Sequence, residues 1–280
     1  MAAVVDVFTY NGEAIVAQRL AYLAPVVDRF VIVEARYTHS GTRKHELFIE
    51  THRATFAPYV DKIDFVVVED FPDMPRSWGE LSRPWVLTNA ESWWREGYQR
   101  DAALPTLRGL KARFGALIAL VCDSDEIPSR EAIQALRNAY ESLETRSAVH
   151  LDMAFHYYGF KWTKPEQWRR AFAVTRLDTS LTELRHAEPQ HVLLSAGWHC
   201  SYFMTPDEMA RKISSFAHRE VDTADNRDLL LLAKRLEEGT DPLGRRNAPL
   251  RLTTPDALAD IPPELTRSLD FVDALCQPGQ

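Results

Sequence analysis

Cysteines and long apolar runs are both scarce in this sequence. Its three cysteines, Cys122, Cys200 and Cys276, are scattered over 280 residues. This pattern excludes a disulfide framework and a zinc cluster, and it favours a reducing compartment. No stretch approaches the roughly 18 consecutive apolar residues that indicate a transmembrane helix, and the first residues lack the basic region of a signal peptide. We therefore expect a cytoplasmic protein without a membrane span.

Positive charge is also in short supply. Lys and Arg total 33 against 40 Asp and Glu, which gives a formal net charge of -7. A nucleic-acid-binding surface must neutralise many phosphates, so nucleic acid is not an expected partner. Hydrophobic residues make up 45% and charged residues 26% of the chain, as in an ordinary globular protein. The length suits one large α/β domain or two small ones.

The most informative stretch is residues 117–128, in which an apolar run leads into Asp123, Asp125 and Glu126. A short apolar run of this kind predicts a strand buried on both faces of a parallel sheet. Acids at its end would lie in the crevice where open α/β sheets bind ligands. Crowded carboxylates need a compensating cation, and Mg²⁺ or Mn²⁺ prefers oxygen ligands. A solvated acidic turn that begins the next helix is the alternative interpretation.

The rest of the pattern is typical of an α/β fold. Residues 4–8, 30–34 and 63–69 are also predicted strands, and helical patterns separate them. Such alternation predicts a mostly parallel sheet flanked by helices. Residues 150–162 alternate and are rich in aromatic side chains, which indicates a more antiparallel subregion after the parallel one.

Several separately spaced motifs follow one another in a fixed order, and their combination is more specific than any one of them. They are Asn11-Gly12-Glu13, Val33-Glu34, residues 38–41 with Lys44, Gln99-Arg100, residues 123–128, residues 196–201 and residues 213–220. Together they resemble glycosyltransferase family 17, the bisecting N-acetylglucosaminyltransferase type. The resemblance covers roughly residues 4–220.

This resemblance implies a GT-A-like, Rossmann-like fold, a UDP-sugar donor, a divalent metal (Mn²⁺ or Mg²⁺), and inversion at the anomeric carbon. The transferred sugar would be N-acetylglucosamine and the acceptor a carbohydrate. We expect a single domain over residues 1–240, with a nucleotide-sugar half (1–128) and an aromatic-rich acceptor half (129–240). Residues 241–280 are expected to form a C-terminal tail with a short helix.

The resemblance also assigns roles around the motif. Asp125 would bind the metal directly, Asp123 the metal or the ribose, and His218 the metal or the diphosphate. A salt bridge to Glu34 or Asp101 is the alternative role for Arg100. The residues expected to surround the nucleotide sugar are Asn11, Glu13, Glu34, Lys44, Arg100 and Asp123.

On the acceptor side, aromatic residues on one strand face would stack on sugar rings, with Tyr158 and Trp162 as candidates. Trp198 and His199 are further acceptor candidates, and His199 is an alternative metal ligand.

Inversion also needs a carboxylate base that does not ligate the metal. Glu220 is the first candidate and Asp152 the second, and an ordinary surface salt bridge is the alternative for each.

Two other functions fit parts of the pattern. In a haloacid-dehalogenase-type phosphatase, Asp123 would be the nucleophile and Asp125 the general acid. That motif normally follows the first strand and has Thr or Val where this chain has Ile127, whereas here it follows three strands. A non-catalytic carbohydrate-binding module would use the aromatic strands, but it would have no need for acids gathered at the end of a buried strand.

Overall fold

The structure, a computed structural model, describes residues 1–79, 89–245 and 249–266. The strands in these ranges are β1 Ala3–Thr9, β2 Arg29–Ala35, β3 Ile63–Val68, β4 Leu117–Asp123, β5 Glu126–Pro128, β6 Val149–Tyr157, β7 Trp162–Thr163, β8 Phe172–Val174, β9 Val192–Ser201 and β10 Arg251–Leu252. The helices are α1 Val16–Leu23, α2 Phe48–Thr51, α3 Arg53–Phe56, α4 Arg76–Gly79, α5 Ala90–Asp101, α6 Leu104–Phe114, α7 Arg130–Asn138, α8 Tyr140–Glu144, α9 Leu181–His186, α10 Pro206–Ser215, α11 Ala224–Arg227, α12 Leu229–Glu238, α13 Pro255–Ala259 and α14 Pro263–Thr266. Short 3-10 turns cover Ala57–Lys62 and Arg219–Val221.

One sheet joins all of these strands, and its first half is parallel. Strand β1 lies between β2 and β4, with Val7 beside Val31 on one side and Val121 on the other. Strand β3 extends the parallel set beyond β2. Because these strands carry apolar side chains toward both faces, they require helices on both sides. The predicted buried strands, including the one that ends at Asp123, are confirmed.

The second half of the sheet is mixed. Strand β8 is antiparallel to both β4 and β6, whereas β6 and β9 form a long parallel pair. Strand β5 leaves the end of β4 and pairs antiparallel with β9. The expected α/β fold, a mostly parallel sheet flanked by helices with a more antiparallel, aromatic-rich subregion, is confirmed.

Helices cover both faces of the sheet and close two cores. On one face, Leu20 of α1, Ile133 of α7 and Leu265 of α14 join a single apolar cluster with the strands. On the other face, Leu107 of α6 and Leu184 of α9 pack against the same strands. Among the described residues, no helix is both long and apolar enough to span a membrane.

Two residue patterns predict the starts of helices, and the structure confirms one of them and not the other. Thr205 followed three residues later by Glu208 predicts a capping box, and the structure confirms it. The Thr205 hydroxyl accepts from the Glu208 backbone N–H, and the Glu208 carboxylate accepts from the backbone N–H of Thr205 in return. Asn89 is of a residue type that favours helix caps, but the cap that this predicts is wrong, since its side chain makes no capping hydrogen bond. Helix α5 begins just after this residue, but its side-chain amide donates to Glu220, 131 residues away in the sequence.

The C-terminal segment packs back onto the sheet. Strand β10 pairs with β7, Leu265 is fully buried, and Glu264 forms an ion pair with Arg130. Most of the short helix predicted near the C-terminus falls on residues 267–275, outside the described residues. The division into 1–128, 129–240 and 241–280 stays a prediction.

Candidate active site

A pocket of about 520 Å³ opens where β1, β2 and β4 end, within the range of small-molecule sites. Six basic and four acidic side chains line it, in a chain whose formal net charge is -7. The site therefore concentrates positive charge, which suits an anionic ligand. Those ten residues are Lys44, Arg100, Arg170, Arg185, Lys212, Arg245, Glu13, Glu96, Asp123 and Asp125.

The backbone of the acidic turn is held from below by a fully buried arginine. Arg19 on α1 donates through Nε and Nη2 to the Asp6 carboxylate. Its Nη1 donates to the carbonyl oxygens of Asp123, Ser124 and Glu126. A guanidinium can bind this many acceptors because its donors are fixed in a planar fork. The orientation of the turn thus depends on an ion pair between β1 and α1.

The turn also depends on one glycine. Gly197 on β9 has a φ of 142°, and a Cβ there would lie 2.1 Å from the carbonyl oxygen of Ile127. Only glycine tolerates both that φ and the close approach of β5.

Asp123 lies between two arginines. One carboxylate oxygen accepts from Nη2 of Arg100 at 3.1 Å, and the other accepts from Arg185 of α9. Burial alone would raise the pKa of Asp123, but Arg185 and then Arg100 bring it below its usual value. Arg185 also donates to both oxygens of Glu126, at 2.8 and 3.0 Å. The sequence analysis missed Arg185, which lies 62 residues from Asp123.

The alternative salt bridges considered for Arg100 are wrong. Its carboxylate partners are Glu96 and Asp123, whereas Asp101 accepts from Ser180 and from Thr182 at the start of α9. Helix α5 therefore positions α9, which carries Arg185.

Asp125 is paired with different cations. Lys212 donates from Nζ to Oδ2 at 2.9 Å, and Nε2 of His199 lies 3.5 Å from Oδ1. Burial would raise the pKa of Asp125, but Lys212 and then His199 hold it well below its usual range. The carboxylate is therefore ionised and only 8% exposed, at a wall of the pocket.

Glu126 is fully buried and does not line the pocket. Its carboxylate accepts from the backbone N–H of Asp123 at 2.7 Å and from the indole of Trp168. The next helix is capped by Ser129, whose hydroxyl accepts from the backbone of Ala132. Glu126 therefore braces the turn rather than capping α7.

The predicted nucleotide residues divide into two groups. Asn11, Glu13 and Lys44 line the pocket, and Glu13 accepts from the Asn11 backbone N–H at 2.8 Å. Glu34 does not line it, since it is fully buried. Lys44 and the backbone N–H groups of Phe48 and its neighbour occupy its carboxylate. Glu34 thus anchors the start of α2 and reaches the pocket only through Lys44.

His39 is a pocket residue to which the sequence analysis gave no role. Gln99 donates its amide N–H to the carbonyl oxygen of Val33 at 2.9 Å. The amide oxygen of Gln99 therefore faces His39 and accepts from Nε2 at 2.8 Å. Burial lowers the pKa of His39, so its imidazole is neutral with Nδ1 as the acceptor. The signal was present, because His39 lies inside the matched segment 38–41.

His218 lines the pocket, but Glu220 does not. The two form a pair, with Nδ1 of His218 at 2.6 Å from Oε1 of Glu220. Oε2 of Glu220 accepts from Asn89 at 3.0 Å. Asp152, the second candidate base, is buried against Arg169 away from the pocket lining.

Of the four predicted acceptor residues, the structure places His199 in the pocket wall. Its ring packs against those of Phe155 and Trp168, with centroids 4.5 and 4.3 Å away. The other three residues lie elsewhere. Tyr158 donates its hydroxyl to the carbonyl of Thr240, Trp162 packs over Gly239, and Trp198 packs against Tyr22.

The predicted metal ligands Asp123, Asp125 and His218 do not form a ligand cluster here. Within residues 1–79, 89–245 and 249–266, no group of three His, Cys, Asp or Glu side chains is placed to hold a metal ion. The physical reason is that arginines occupy both oxygens of Asp123. Asp125 and His199 do lie close together, with 3.5 Å between Oδ1 and Nε2.

Two solved structures give loose matches. A mannose-1-phosphate geranyltransferase from Thermus thermophilus is 14% identical, with a TM-score of 0.34 over 75% of this chain and 79% of that one. The mannosyltransferase PcManGT from Pyrobaculum calidifontis, in complex with GDP-Man and Mn²⁺, is 12% identical. Its TM-score is 0.38 over 100% of this chain and 76% of that one. Scores this low establish nothing about the site.

Sequence comparisons are more informative. The rat beta-1,4-mannosyl-glycoprotein 4-beta-N-acetylglucosaminyltransferase is 25% identical over 254 residues, 79% of this chain and 44% of that protein. The human protein of the same name is 25% identical over 244 residues, 75% of this chain and 43% of its own length. The chain thus spans less than half the length of these curated relatives.

The model of glycosyltransferase family 17 matches residues 2–240. This range contains the parallel strands, the acidic turn, and the pocket residues up to His218. The chain therefore belongs to glycosyltransferase family 17, and the phosphatase and carbohydrate-binding alternatives are set aside.

Proposed function

We propose that the enzyme transfers N-acetylglucosamine from a UDP-sugar to a hydroxyl group of a carbohydrate acceptor. The transfer inverts the anomeric carbon and uses Mn²⁺ or Mg²⁺. The family supplies the reaction class, and the names of the rat and human relatives describe the transfer of this sugar.

The observation that carries the donor proposal is that two guanidinium nitrogens of Arg100 are buried without a hydrogen-bond partner among the described residues. This side chain is 2% exposed and lines the pocket. Its Nε and Nη1 are buried without a hydrogen-bond partner among the described residues. An unsatisfied buried donor costs about 1–3 kcal/mol, and the phosphate oxygens of a ligand would satisfy both. Guanidinium groups are frequent partners of phosphate oxygens in proteins.

The donor atoms available to a metal fit this proposal. Imidazole and carboxylate are ligand types that Mn²⁺ accepts. Two ligands about 2.1 Å from one ion lie about 3 Å apart, close to the 3.5 Å between Asp125 Oδ1 and His199 Nε2. Substrate phosphates commonly complete such a coordination sphere. When bound, the metal would act as a Lewis acid on the leaving diphosphate.

The uridine side of the pocket would be formed by the ends of β1 and β2. Asn11, Glu13 and Lys44 lie there, together with the neutral imidazole of His39. Its Nδ1 can accept a hydrogen bond from a base N–H or a ribose hydroxyl. These groups favour uridine, whose base is smaller than guanine, through specific hydrogen bonds rather than through charge.

The general base is assigned to Glu220 acting together with His218, with Asp152 as the second candidate. An inverting transfer needs a proton acceptor within hydrogen-bond reach of the acceptor hydroxyl. Glu220 reaches the pocket through His218, the side chain between it and the cavity. In this assignment His218 takes the proton of the hydroxyl and Glu220 stabilises the resulting imidazolium.

Calorimetric titration with UDP and with GDP, each with and without Mn²⁺, tests the donor. We expect UDP to bind at least about tenfold more tightly than GDP, because unpaired polar groups reject the wrong base. Arg100→Met should weaken UDP binding, whereas Arg108→Met, which removes a contact to Leu177 outside the pocket lining, should not. Equal affinity for UDP and GDP, or no release of UDP from UDP-N-acetylglucosamine, would contradict the proposal.

A further inference from the structure

The ion pair between Asp125 and Lys212 is a feature that the proposed reaction does not yet use. Lys212 Nζ lies 2.9 Å from Oδ2 of Asp125 and 5.2 Å from the centre of the Tyr202 ring. Oδ1 of the same carboxylate faces His199. The ammonium thus holds the second oxygen of the residue that is best placed to bind a metal.

Both partners carry their charges. The 2.9 Å between Nζ of Lys212 and Oδ2 of Asp125 is the distance of an ion pair. A divalent cation at Asp125 would therefore meet a resident ammonium. Like charges this close repel strongly in a partly desolvated site, so metal and ammonium compete for one carboxylate.

Lys212 has room to leave, in contrast to the arginine beside Asp123. Its side chain is 23% exposed and lines the pocket, whereas that of Arg185 is 5% exposed and divided between two carboxylates. A lysine ammonium is a point charge on a four-carbon stem with several rotatable bonds. It can swing from Asp125 into the pocket without any movement of α10.

We propose that Lys212 is an exchangeable counter-ion, which neutralises Asp125 in the free enzyme and moves to the diphosphate when the donor binds. This inference rests on the proposed function, because it requires an anionic donor and a metal at the same site. It makes the binding of metal and donor cooperative. The donor removes the competing ammonium from Asp125, and the metal in turn releases the ammonium for the donor.

Linkage makes this coupling measurable, because each ligand must change the affinity of the other by the same factor. The test titrates Mn²⁺ into the wild type and into Lys212→Met, with and without UDP. Electron paramagnetic resonance measures free Mn²⁺, and calorimetry measures UDP. Lys212→Arg keeps a cation at the site, and Lys234→Met removes an exposed lysine elsewhere.

Without UDP, Lys212→Met should bind Mn²⁺ about tenfold more tightly than the wild type, within the usual range of coupling energies. Without metal, it should bind UDP about tenfold more weakly. The factor by which UDP strengthens Mn²⁺ binding should therefore shrink in this variant. Lys234→Met should behave like the wild type, and Lys212→Arg should not gain Mn²⁺ affinity, because it keeps a cation beside Asp125.

Unchanged Mn²⁺ affinity in Lys212→Met, with normal binding of UDP and Mn²⁺ to the wild type, would overturn this inference and leave the proposed function standing. If the wild type bound neither UDP nor Mn²⁺, both proposals would fall. Circular dichroism checks that each variant is folded. Lys212→Gln, which also removes the charge, replaces Lys212→Met if that variant is not, with the same expected result.

Discussion

The two sides of the acidic turn have opposite designs, although Asp123 and Asp125 are only two residues apart. Asp123 is fixed between Arg100 and Arg185, and Arg185 also binds the buried Glu126. Asp125 faces the pocket with Lys212 and His199, each of which makes a single contact with it. Planar guanidinium forks bind several acceptors at once, whereas an ammonium or an imidazole exchanges its partner more easily.

This difference indicates that one carboxylate organises the turn and the other is available for ligand chemistry. From the sequence motif we expected Asp125 to bind the metal directly, and the role of Asp123 stayed open between the metal and the ribose. The surrounding cations divide the roles. Substitutions around the turn can test whether Asp123 organises the turn and Asp125 binds the ligand.

Replacing Arg185 by Met should reduce the free energy of unfolding by about 3–5 kcal/mol, the usual cost of leaving a buried charge without its partner. The reason is that Glu126, which is fully buried, would lose both contacts from the guanidinium. Urea unfolding followed by circular dichroism measures the change. Arg176→Met is the matched control, because its pair with Asp178 is exposed and its loss should leave stability nearly unchanged. A small effect of Arg185→Met would remove the contrast between the two sides.

Replacing Asp125 by Asn should lower turnover by about a hundredfold or more, since a bound metal contributes several kcal/mol of charge stabilisation. Mn²⁺ affinity should fall with it. The double variant Asp125→Asn with Lys212→Met removes both charges of the pair, so it separates loss of activity from the cost of an unpaired lysine. Full activity of Asp125→Asn at low Mn²⁺ would exclude a metal role for this side of the turn.

A third test concerns the two candidate general bases, Glu220 and Asp152, which lie outside the turn. Glu220→Gln should lower turnover by about a hundredfold, the usual scale for a lost general base, while UDP affinity changes little. His218→Gln should have a similar effect, because His218 is the member of the pair that lines the pocket. Asp152→Asn tests the second candidate in the same way. If activity collapses in this variant and survives in Glu220→Gln, the base is Asp152.

The smallest expected effect is a response to mild acid that involves neither side of the turn. Burial lowers the pKa of His156 to about 4, so the unfolded chain takes up protons first as the pH falls. The contribution of neutral His156 to the free energy of unfolding is therefore fully present above pH 6.5 and is lost as the pH falls toward 4. From pH 7 to pH 5 the loss should be about 2 kcal/mol. Asp123 and Asp125 stay ionised over this window, because both pKa values are lowered.

Urea unfolding of the wild type and of His156→Gln at the two pH values measures this loss. The variant should lose about 2 kcal/mol less than the wild type. His45→Gln, at an exposed position, serves as the control and should lose as much as the wild type. Equal losses in the wild type and in His156→Gln would assign the acid response to other groups, such as His39 and His150, whose pKa values burial also lowers.

Local patterns made much of the fold predictable. The apolar run before Asp123 forms β4, and the capping box at Thr205 begins α10. Strand-end acids were a weaker guide, since Glu34 proved to anchor α2 rather than line the pocket. In a strand buried on both faces, the apolar pattern does not reveal which way an end residue points. The stacking roles predicted for Tyr158 and Trp162 met the same difficulty, because alternation alone does not identify the face toward the cavity.

The sequence by itself determined the family, the alternation of strands and helices, and the delivery of three acids to the end of the central strand. These follow from residues close together in the chain, where hydrophobic period and turn chemistry act directly. Only the tertiary structure decided which cation meets which acid. Lys212 and Asp125 are 87 residues apart and Arg185 and Asp123 are 62 apart. Such partners become neighbours only when the helices that carry them pack onto the sheet, and electrostatic pairing at short range then gives each acid its role.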